Sequence, residues 1–319
     1  MAVYTHVDDR DLAAFLKEYD FGAAVAFKGV TEGVENTNYL LDAEKGRFIL
    51  TLYEKRVDEK DLPFFLSLMR HLAAKGLPAA APVAGRDGES LRRLCGRPAA
   101  LIHFLPGVWH ERPDAQDCAA LGRMLARMHL AVADFRPARE NNLSIAGWKT
   151  LTEHCEADAG SCAPGLARLI ADELTALQKA WPKNLPRGVI HADLFPDNVL
   201  FRDGLISGLI DFYFACTDFF AYDLAVCLNA WCFDADGKMS QEKAAAMTGA
   251  YASVRPLEDG EREAMNIFLR GAALRFLLTR LYDWLNRVEG ALVNVKDPLE
   301  YRDKLLFHKE NGDPALYGL

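Results

Sequence analysis

The segment Val189–Phe201 reads VIHADLFPDNVLF, an apolar run broken by His191, Asp193, Asp197 and Asn198 and then resumed. An ionised carboxylate left unpaired in apolar surroundings is costly, so these residue types at this place point to something bound. Their spacing is H-x-D-x-x-x-x-N. Val199-Leu200-Phe201 follows, then a turn at Arg202-Asp203-Gly204 and a returning apolar strand, Leu205–Ile210, that delivers Asp211. Such a hairpin is expected to hold Asp193, Asn198 and Asp211 close in space. Oxygen-bearing groups so gathered suit phosphoryl transfer, which asks a protein for positioning and charge neutralisation more than covalent chemistry. Asp193 is the candidate acceptor for the proton of an attacking hydroxyl. Asn198 and Asp211 are hard oxygen donors of the kind Mg2+ takes while it keeps water and phosphate ligands. His191 is read as bracing the loop. The plainer reading is a hydrogen-bonded loop, since Asp and Asn favour turns for local reasons. The second apolar-flanked aspartate, arriving after a hairpin of suitable length, favours the chemical one.

The remaining sequence must supply a scaffold for that constellation. The first hundred residues mix short helical and strand-like pieces. Asp11–Asp20 carries Leu12, Phe15, Leu16 and Tyr19 at helical spacing. Strands are predicted around Gly22–Lys28, Asn38–Leu41 and Arg47–Tyr53, with Glu44-Lys45-Gly46 turning between the last two. A helix over Asp61–Gly76 has Pro63 near its start and Gly76 at its end. Two more strands are expected near Glu89–Leu94 and Ala99–Phe104. After Leu105-Pro106-Gly107 the character changes. Asp114–Phe135 is amphipathic with helical period, and apart from a strand pair at 189–211 the rest reads as mostly helical. The expectation is an α+β, bilobal arrangement: an antiparallel-sheet lobe with a helix over 1–105 and a larger helical lobe over 106–319.

Composition narrows the partners. Of 319 residues, 50% are hydrophobic and 26% charged, and the net charge is −8, the balance of a soluble globular protein with little appeal to nucleic acid. The most apolar long stretch, Ile267–Leu285, is interrupted by Arg270, Arg275, Arg280 and Asp283, too much charge to span a bilayer. Residues 5–12 are polar where a leader would be apolar, so neither membrane nor export is expected and the chain is read as cytoplasmic. Seven cysteines, an odd number without C-x-x-C, are expected to be reduced.

HADLFPDNVLF followed by IDFYFA resembles the catalytic and metal-binding motifs of the aminoglycoside phosphotransferase and choline kinase group, which shares the protein-kinase-like fold. The resemblance runs through the whole chain. Within the group, GVENTNY (33–39), FILTLYEKR (48–56), IDFYFACTDFFAYDLAVCLNAWCF (210–233) and KDPLEYRDKLLFH (296–308) are similar to the bacterial homoserine kinase family. The resemblance implies ATP and Mg2+, with L-homoserine phosphorylated on its hydroxyl in threonine biosynthesis. It implies a phosphate-covering loop at Gly29–Asn38, where Gly33, Asn36 and Thr37 are the candidate contacts; an ordinary hairpin turn is the alternative. It implies an adenine-facing connection at Leu101–Leu105, with His103 and Leu105 as candidates, or a plain buried strand. The strand lysine that kinases of this kind set on the phosphates is replaced by Thr51, and Phe64 and Phe65 stand where its glutamate partner would be sought. Either Lys28, Lys55 or Arg56 takes its place, or metal and backbone amides carry more of the charge.

A homoserine acceptor calls for a carboxylate near its amine and a cation near its acid group. Asp218, Tyr222 and Asp223 are candidates for the first, Arg275 and Arg280 for the second, with structural ion pairs as the competing role for the arginines. Phe212, Tyr213 and Trp231 are expected to keep the space small. Three other readings remain: an acceptor such as choline or an aminoglycoside, a nucleotide-binding module without catalysis, and a serine acyl enzyme suggested by S-x-x-K at Ser240–Lys243.

Overall fold

The computed structural model describes residues 4–30, 36–54, 57–287 and 295–319. Gly33, Lys55 and Arg56 lie outside the described residues. The chain divides into two compact units: 1–108 with 135–137 and 199–213, and the remaining segments 109–134, 138–198 and 214–319.

Along the chain, α1 (Asp9–Leu16) starts earlier than its apolar spacing predicts, because the Asp8 side chain accepts from Asp11 N and caps it. Tyr19 is buried all the same, beyond the helix end. Strands β1 (Ala24–Gly29), β2 (Thr37–Ala43) and β3 (Gly46–Leu52) are followed by α2 (Leu62–Ala74), β4 (Arg92–Leu94) and β5 (Arg97–His103). They form one antiparallel sheet in the order β1-β2-β3-β5-β4. The period of two is visible in its core. Tyr39 and Leu41, Phe48, Leu50 and Leu52, and Ala99 and Leu101 gather on one face with Leu12, Phe15 and Leu16 of α1. Thr51 therefore falls on the other face, opposite Asn38 and Ala100 in register.

The second unit begins with α3 (Ala115–Ala131), whose entry is closed by reciprocal capping between Asp114 and Asp117. It continues through α4 (Ile145–Cys155), α5 (Ala159–Cys162), α6 (Leu166–Ala180) and β6 (Arg187–Ile190). Next, β7 (Val199–Arg202) and β8 (Leu205–Leu209) make the expected hairpin, which groups with the first unit. Asp203 and Gly204 turn it with φ of 52° and 75°, the paired left-handed residues that a two-residue hairpin favours. β6 does not join that hairpin. It pairs antiparallel with β9 (Cys216–Phe219), a strand the sequence analysis did not place. Then come α7 (Phe220–Trp231), α8 (Gln241–Ala252), α9 (Asp259–Leu285) and α10 (Leu299–Glu310). A Cβ at Gly122 of α3 would lie 2.2 Å from Met247 O of α8, so glycine sets how closely those helices approach.

The apolar stretch noted in sequence is the middle of α9, a 27-residue helix buried on every side between Ala272 and Leu278. Its arginines are each engaged inside the second unit: Arg270 with Glu173 at 2.6 Å, Arg275 with the Ala192 carbonyl, and Arg280 with Glu300 at 2.6 Å. Among the described residues no helix is long and apolar enough to cross a membrane. All seven cysteines are free thiols. Ser240 accepts from Lys243 N and caps α8, while Lys243 Nζ pairs with Asp234 at 2.6 Å. S-x-x-K is a helix start here, not a nucleophile beside its base.

Candidate active site

In the second unit, β6 ends at Ile190 and the chain enters a loop that closes on itself. Asp193 O accepts from Phe195 N at 2.9 Å and from Asn198 Nδ2 at 2.8 Å, and Asn198 N donates to Phe195 O at 3.0 Å. The Asn198 amide also points its Nδ2 at the Asp193 carboxylate, 3.5 Å away, and so faces its nitrogen toward the loop. Its Oδ1 is the end left for a ligand. His191 is fully buried, and its Nδ1 accepts from Asp193 N at 3.3 Å. The Asp193 side chain remains half-buried.

What grips this loop lies about thirty residues further along. Asp223 of α7 accepts from His191 N (2.9 Å) on one oxygen and from Ala192 N (2.8 Å) on the other. His129 of α3 stands behind it, Nε2 3.1 Å from Asp223 Oδ2 and Nδ1 2.8 Å from the Tyr251 hydroxyl. Burial alone would raise the Asp223 pKa, but hydrogen bonds from His129 and the His191 backbone outweigh it and hold the carboxyl below its ordinary range. Burial pushes His129 down, against the pull of Asp223. The consistent state is a neutral imidazole donating from Nε2 to an ionised Asp223. On the opposite side, the buried Arg275 guanidinium donates from Nη1 to Ala192 O. Ala192 sits at φ 64°, a left-handed backbone rare for a residue with a Cβ. An anion on its N–H and a cation on its C=O keep it there. Trp231 Nε1 donates to Leu194 O at 2.8 Å and fastens the chain two residues on.

The first unit carries Asp211, also left-handed at φ 62°, just past β8. Phe212 is fully buried, and the Tyr213 hydroxyl donates to the Tyr53 hydroxyl at 3.2 Å, with Phe65 edge-on at 5.7 Å. On the same unit, Thr51 Oγ1 donates to Asn38 Oδ1 at 2.8 Å. Asn36 Oδ1 accepts from Glu54 N at 3.3 Å. At the end of β5, His103 is exposed and Leu105 half-buried; the N–H groups of His103 and Phe104 go to Ala81 O and Arg47 O. An amide oxygen and a carboxylate are each hard oxygen donors of the kind Mg2+ takes together with phosphate and water. Among the described residues, no three His, Cys, Asp or Glu side chains gather as a metal-holding group.

The phosphotransferase enzyme family matches residues 26–257. The chain belongs to that family. A protein of Rhodospirillum rubrum named homoserine kinase is 57% identical over 319 residues, 100% of this chain and 99% of that one. Among solved structures, an amicoumacin kinase in complex with AMP-PNP, Ca2+ and Ami has a TM-score of 0.70 at 16% identity, covering 95% of this chain and 94% of that one. A choline kinase from Cryptosporidium parvum has a TM-score of 0.68 at 15% identity, covering 95% of each chain. The fold is thus the protein-kinase-like one, an antiparallel-sheet unit and a mostly helical unit.

Several residues expected at the acceptor or nucleotide of this phosphotransferase are occupied elsewhere. Arg275 is 1% exposed and spends its hydrogen bond on Ala192 O. Arg280 is held by Glu300 and by Asp297 O (3.0 Å), over the Tyr301 ring. Tyr222, Phe212 and Trp231 are core residues, each at most 1% exposed. Asp218 is buried, taking Asn141 Nδ2 at 2.7 Å and Phe219 N at 2.8 Å, and burial raises its pKa. These side chains are packed or bonded within their own units, and Arg275 keeps one buried donor, Nε, without a partner. Thr37 is corrected likewise. Its fully buried hydroxyl accepts from Tyr4 N and Thr5 N and donates to Glu54 Oε1, which ties the N-terminal segment to β2 and leaves nothing for a phosphate. The sequence analysis missed His129 altogether and offered Asp223 as a substrate contact or an ion-pair partner of the arginines, not as the anchor of the loop. A lone histidine on the apolar face of a predicted helix was the available signal.

Proposed function

We propose that this phosphotransferase transfers the γ-phosphoryl group of ATP to the hydroxyl of L-homoserine, giving O-phospho-L-homoserine and ADP in the cytoplasm. The observation that carries the acceptor is the 57% identity, over essentially whole chains, to proteins named homoserine kinase in Rhodospirillum rubrum and Xanthobacter autotrophicus. In this reading the half-buried Asp193 carboxylate receives the hydroxyl proton. The hydroxyl oxygen forms the new bond to phosphorus, and the bond from phosphorus to the β–γ bridging oxygen breaks, its electron pair leaving on ADP. Asn198 holds the loop with its Nδ2 and turns its Oδ1 outward. Oδ1 of Asn198 and the Asp211 carboxylate are the protein donors for Mg2+, which when bound neutralises charge on the phosphates. His191 keeps the Asp193 peptide in place. The loop containing Gly33 and Asn36 covers the phosphates, and the backbone around His103 and Leu105 meets the adenine.

The test is ADP release with Mg-ATP against homoserine, serine, choline, ethanolamine and kanamycin. Turnover is expected on homoserine well above the others; a preference for choline or kanamycin would replace the acceptor, and none on any would leave a nucleotide-binding module. Asp193→Asn should lower kcat by about 10^3-fold while nucleotide affinity stays within about threefold.

A further inference from the structure

We propose that Lys296 binds the carboxylate of the amino-acid acceptor, an inference that rests on the homoserine kinase reading. That acceptor needs a cation, and the two arginines that the sequence suggested for it are committed to Ala192 and to Glu300. Lys304 is no substitute: it is buried, donating to Asn229 O at 2.9 Å and Glu300 at 2.6 Å. Lys296 precedes α10 and reaches the catalytic loop itself. Its Nζ lies 5.3 Å from the centroid of the Phe195 ring and 3.7 Å from Asp197 Oδ2. Both partners belong to the turn between Asp193 and Asn198, within a few residues of the proposed base.

The cation is also available. Its side chain is 59% exposed and that of Asp197 51%, so the pair is long and wet, and such pairs hold weakly. The Phe195 ring steadies the ammonium from one side through its negative face without consuming its donors. A lysine is a compact charge on a flexible stem, able to leave Asp197 for a better anion. In homoserine, three carbons separate the hydroxyl oxygen from the carboxylate carbon. An acceptor seated with its hydroxyl at Asp193 thus carries its acid group only a short way along the loop, and Lys296 is an exposed cation that touches that loop. A carboxylate so held is a reason for the enzyme to prefer the amino acid to the amino alcohol of the same chain.

The experiment compares L-homoserine with 3-amino-1-propanol, which lacks only the carboxylate, using the full chain with Mg-ATP and ADP release as the readout. Lys296→Met should raise the KM for homoserine about 10–30-fold, and the preference for homoserine over aminopropanol should fall by the same factor. The KM for ATP and the melting temperature should hold. Lys296→Arg should recover part of the loss. Asp197→Asn should change the homoserine KM by less than about threefold, since Asp197 is only the resting partner. An equal loss on both acceptors would assign the lysine to the phosphates or the loop and overturn the proposal. So would an Asp197→Asn variant that reproduces the Lys296→Met loss. Wild-type chain that releases no ADP on homoserine counts against the kinase reading itself. In that case calorimetric binding of homoserine decides the lysine separately, and equal affinity in wild type and Lys296→Met overturns its role.

Discussion

Ala192 in the second unit and Asp211 in the first both stand in left-handed backbone, at φ 64° and 62°, and they are held by opposite means. Around Ala192 the grip is charge: Asp223 on the N–H, Arg275 on the C=O, and His129 behind Asp223, all buried. The two residues after Asp211 are held by uncharged contacts. Phe212 is packed in the core and Tyr213 leans on Tyr53 and Phe65 through a hydroxyl pair and an aromatic edge. Each left-handed residue costs roughly 1–2 kcal/mol, so either support has strain to offset. The supports differ in how they fail. Apolar closure loses stability a methylene at a time, whereas a buried charge that loses its partner becomes a liability in its own right. The loop that carries Asp193 is therefore the brittle half, built to hold one backbone shape. The residues that follow the hairpin, Phe212 and Tyr213, are held more tolerantly.

The largest effect should come from breaking the charged grip. Asp223→Ala leaves the N–H groups of His191 and Ala192 and the imidazole of His129 buried without their acceptor. We expect a loss of about 3–5 kcal/mol in denaturant unfolding together with a fall in kcat of about 10^2-fold or more, with the KM for ATP little changed. Arg275→Met removes only the carbonyl side and should cost less, about 1–3 kcal/mol, again with kcat falling before nucleotide affinity. If either variant kept kcat within about threefold of wild type, the left-handed Ala192 would not depend on the clamp and the contrast would collapse.

The same contrast marks what could be read from sequence. Alternating Tyr39 and Leu41, Phe48, Leu50 and Leu52 announced the sheet, and Asp203-Gly204 announced the hairpin, because both signals are local and periodic. The loop from His191 to Asn198 was legible for the same reason: its polar residues interrupt an apolar run at a recognisable spacing. The grip was not. Asp223 lies thirty residues on and His129 sixty back, and nothing in either neighbourhood says which backbone it will meet. The pairing of β6 with β9 was hidden too, since Cys216–Phe219 is a four-residue piece, half of it polar, without turn signals of its own. Arg275 misled in an instructive way. An arginine in an apolar helix near a predicted site looks like a ligand for an anion, but its partner is a backbone carbonyl, a group every sequence position carries.

A second, smaller effect separates the halves by pH. His308 of α10 is 1% exposed, with Nε2 2.7 Å from Asn229 Oδ1 and Nδ1 2.9 Å from the Tyr317 hydroxyl, and burial beside Lys304 and Arg270 pushes its pKa down to about 3. A base whose folded pKa is lowered is protonated first in the unfolded chain. Its contribution is complete above its unfolded value near 6.5 and is lost as pH falls from there toward 3, at about 1.4 kcal/mol per unit. Burial lowers His129 in the same direction. Among the described residues of the sheet unit, His6 and His103 are exposed and His71 is half-buried. Lowering pH from 6.5 to 5 should thus remove about 2 kcal/mol through His308, with amide protection falling first in α10 and α7 while the sheet keeps its own. His308→Gln should flatten that slope. An unchanged slope would mean the imidazole is already charged in the fold.

The smallest effect tests the neutral side of the contrast at Thr51, where related kinases carry a lysine. Thr51 is 3% exposed, on the sheet face away from α1, and its hydroxyl is given to Asn38 rather than to solvent. A lysine there would have to bury an ammonium or push past Asn38 and the register neighbour Ala100, whereas threonine fits the strand and closes one polar contact. Thr51→Val keeps the shape and deletes the hydroxyl, so it should cost only about 1 kcal/mol, the worth of one partly buried hydrogen bond, and leave the KM for ATP within about twofold. Should that KM rise tenfold or more, the hydroxyl reaches phosphate, and the first unit would then hold its ligand by polar contacts as exacting as those that hold the loop of the second.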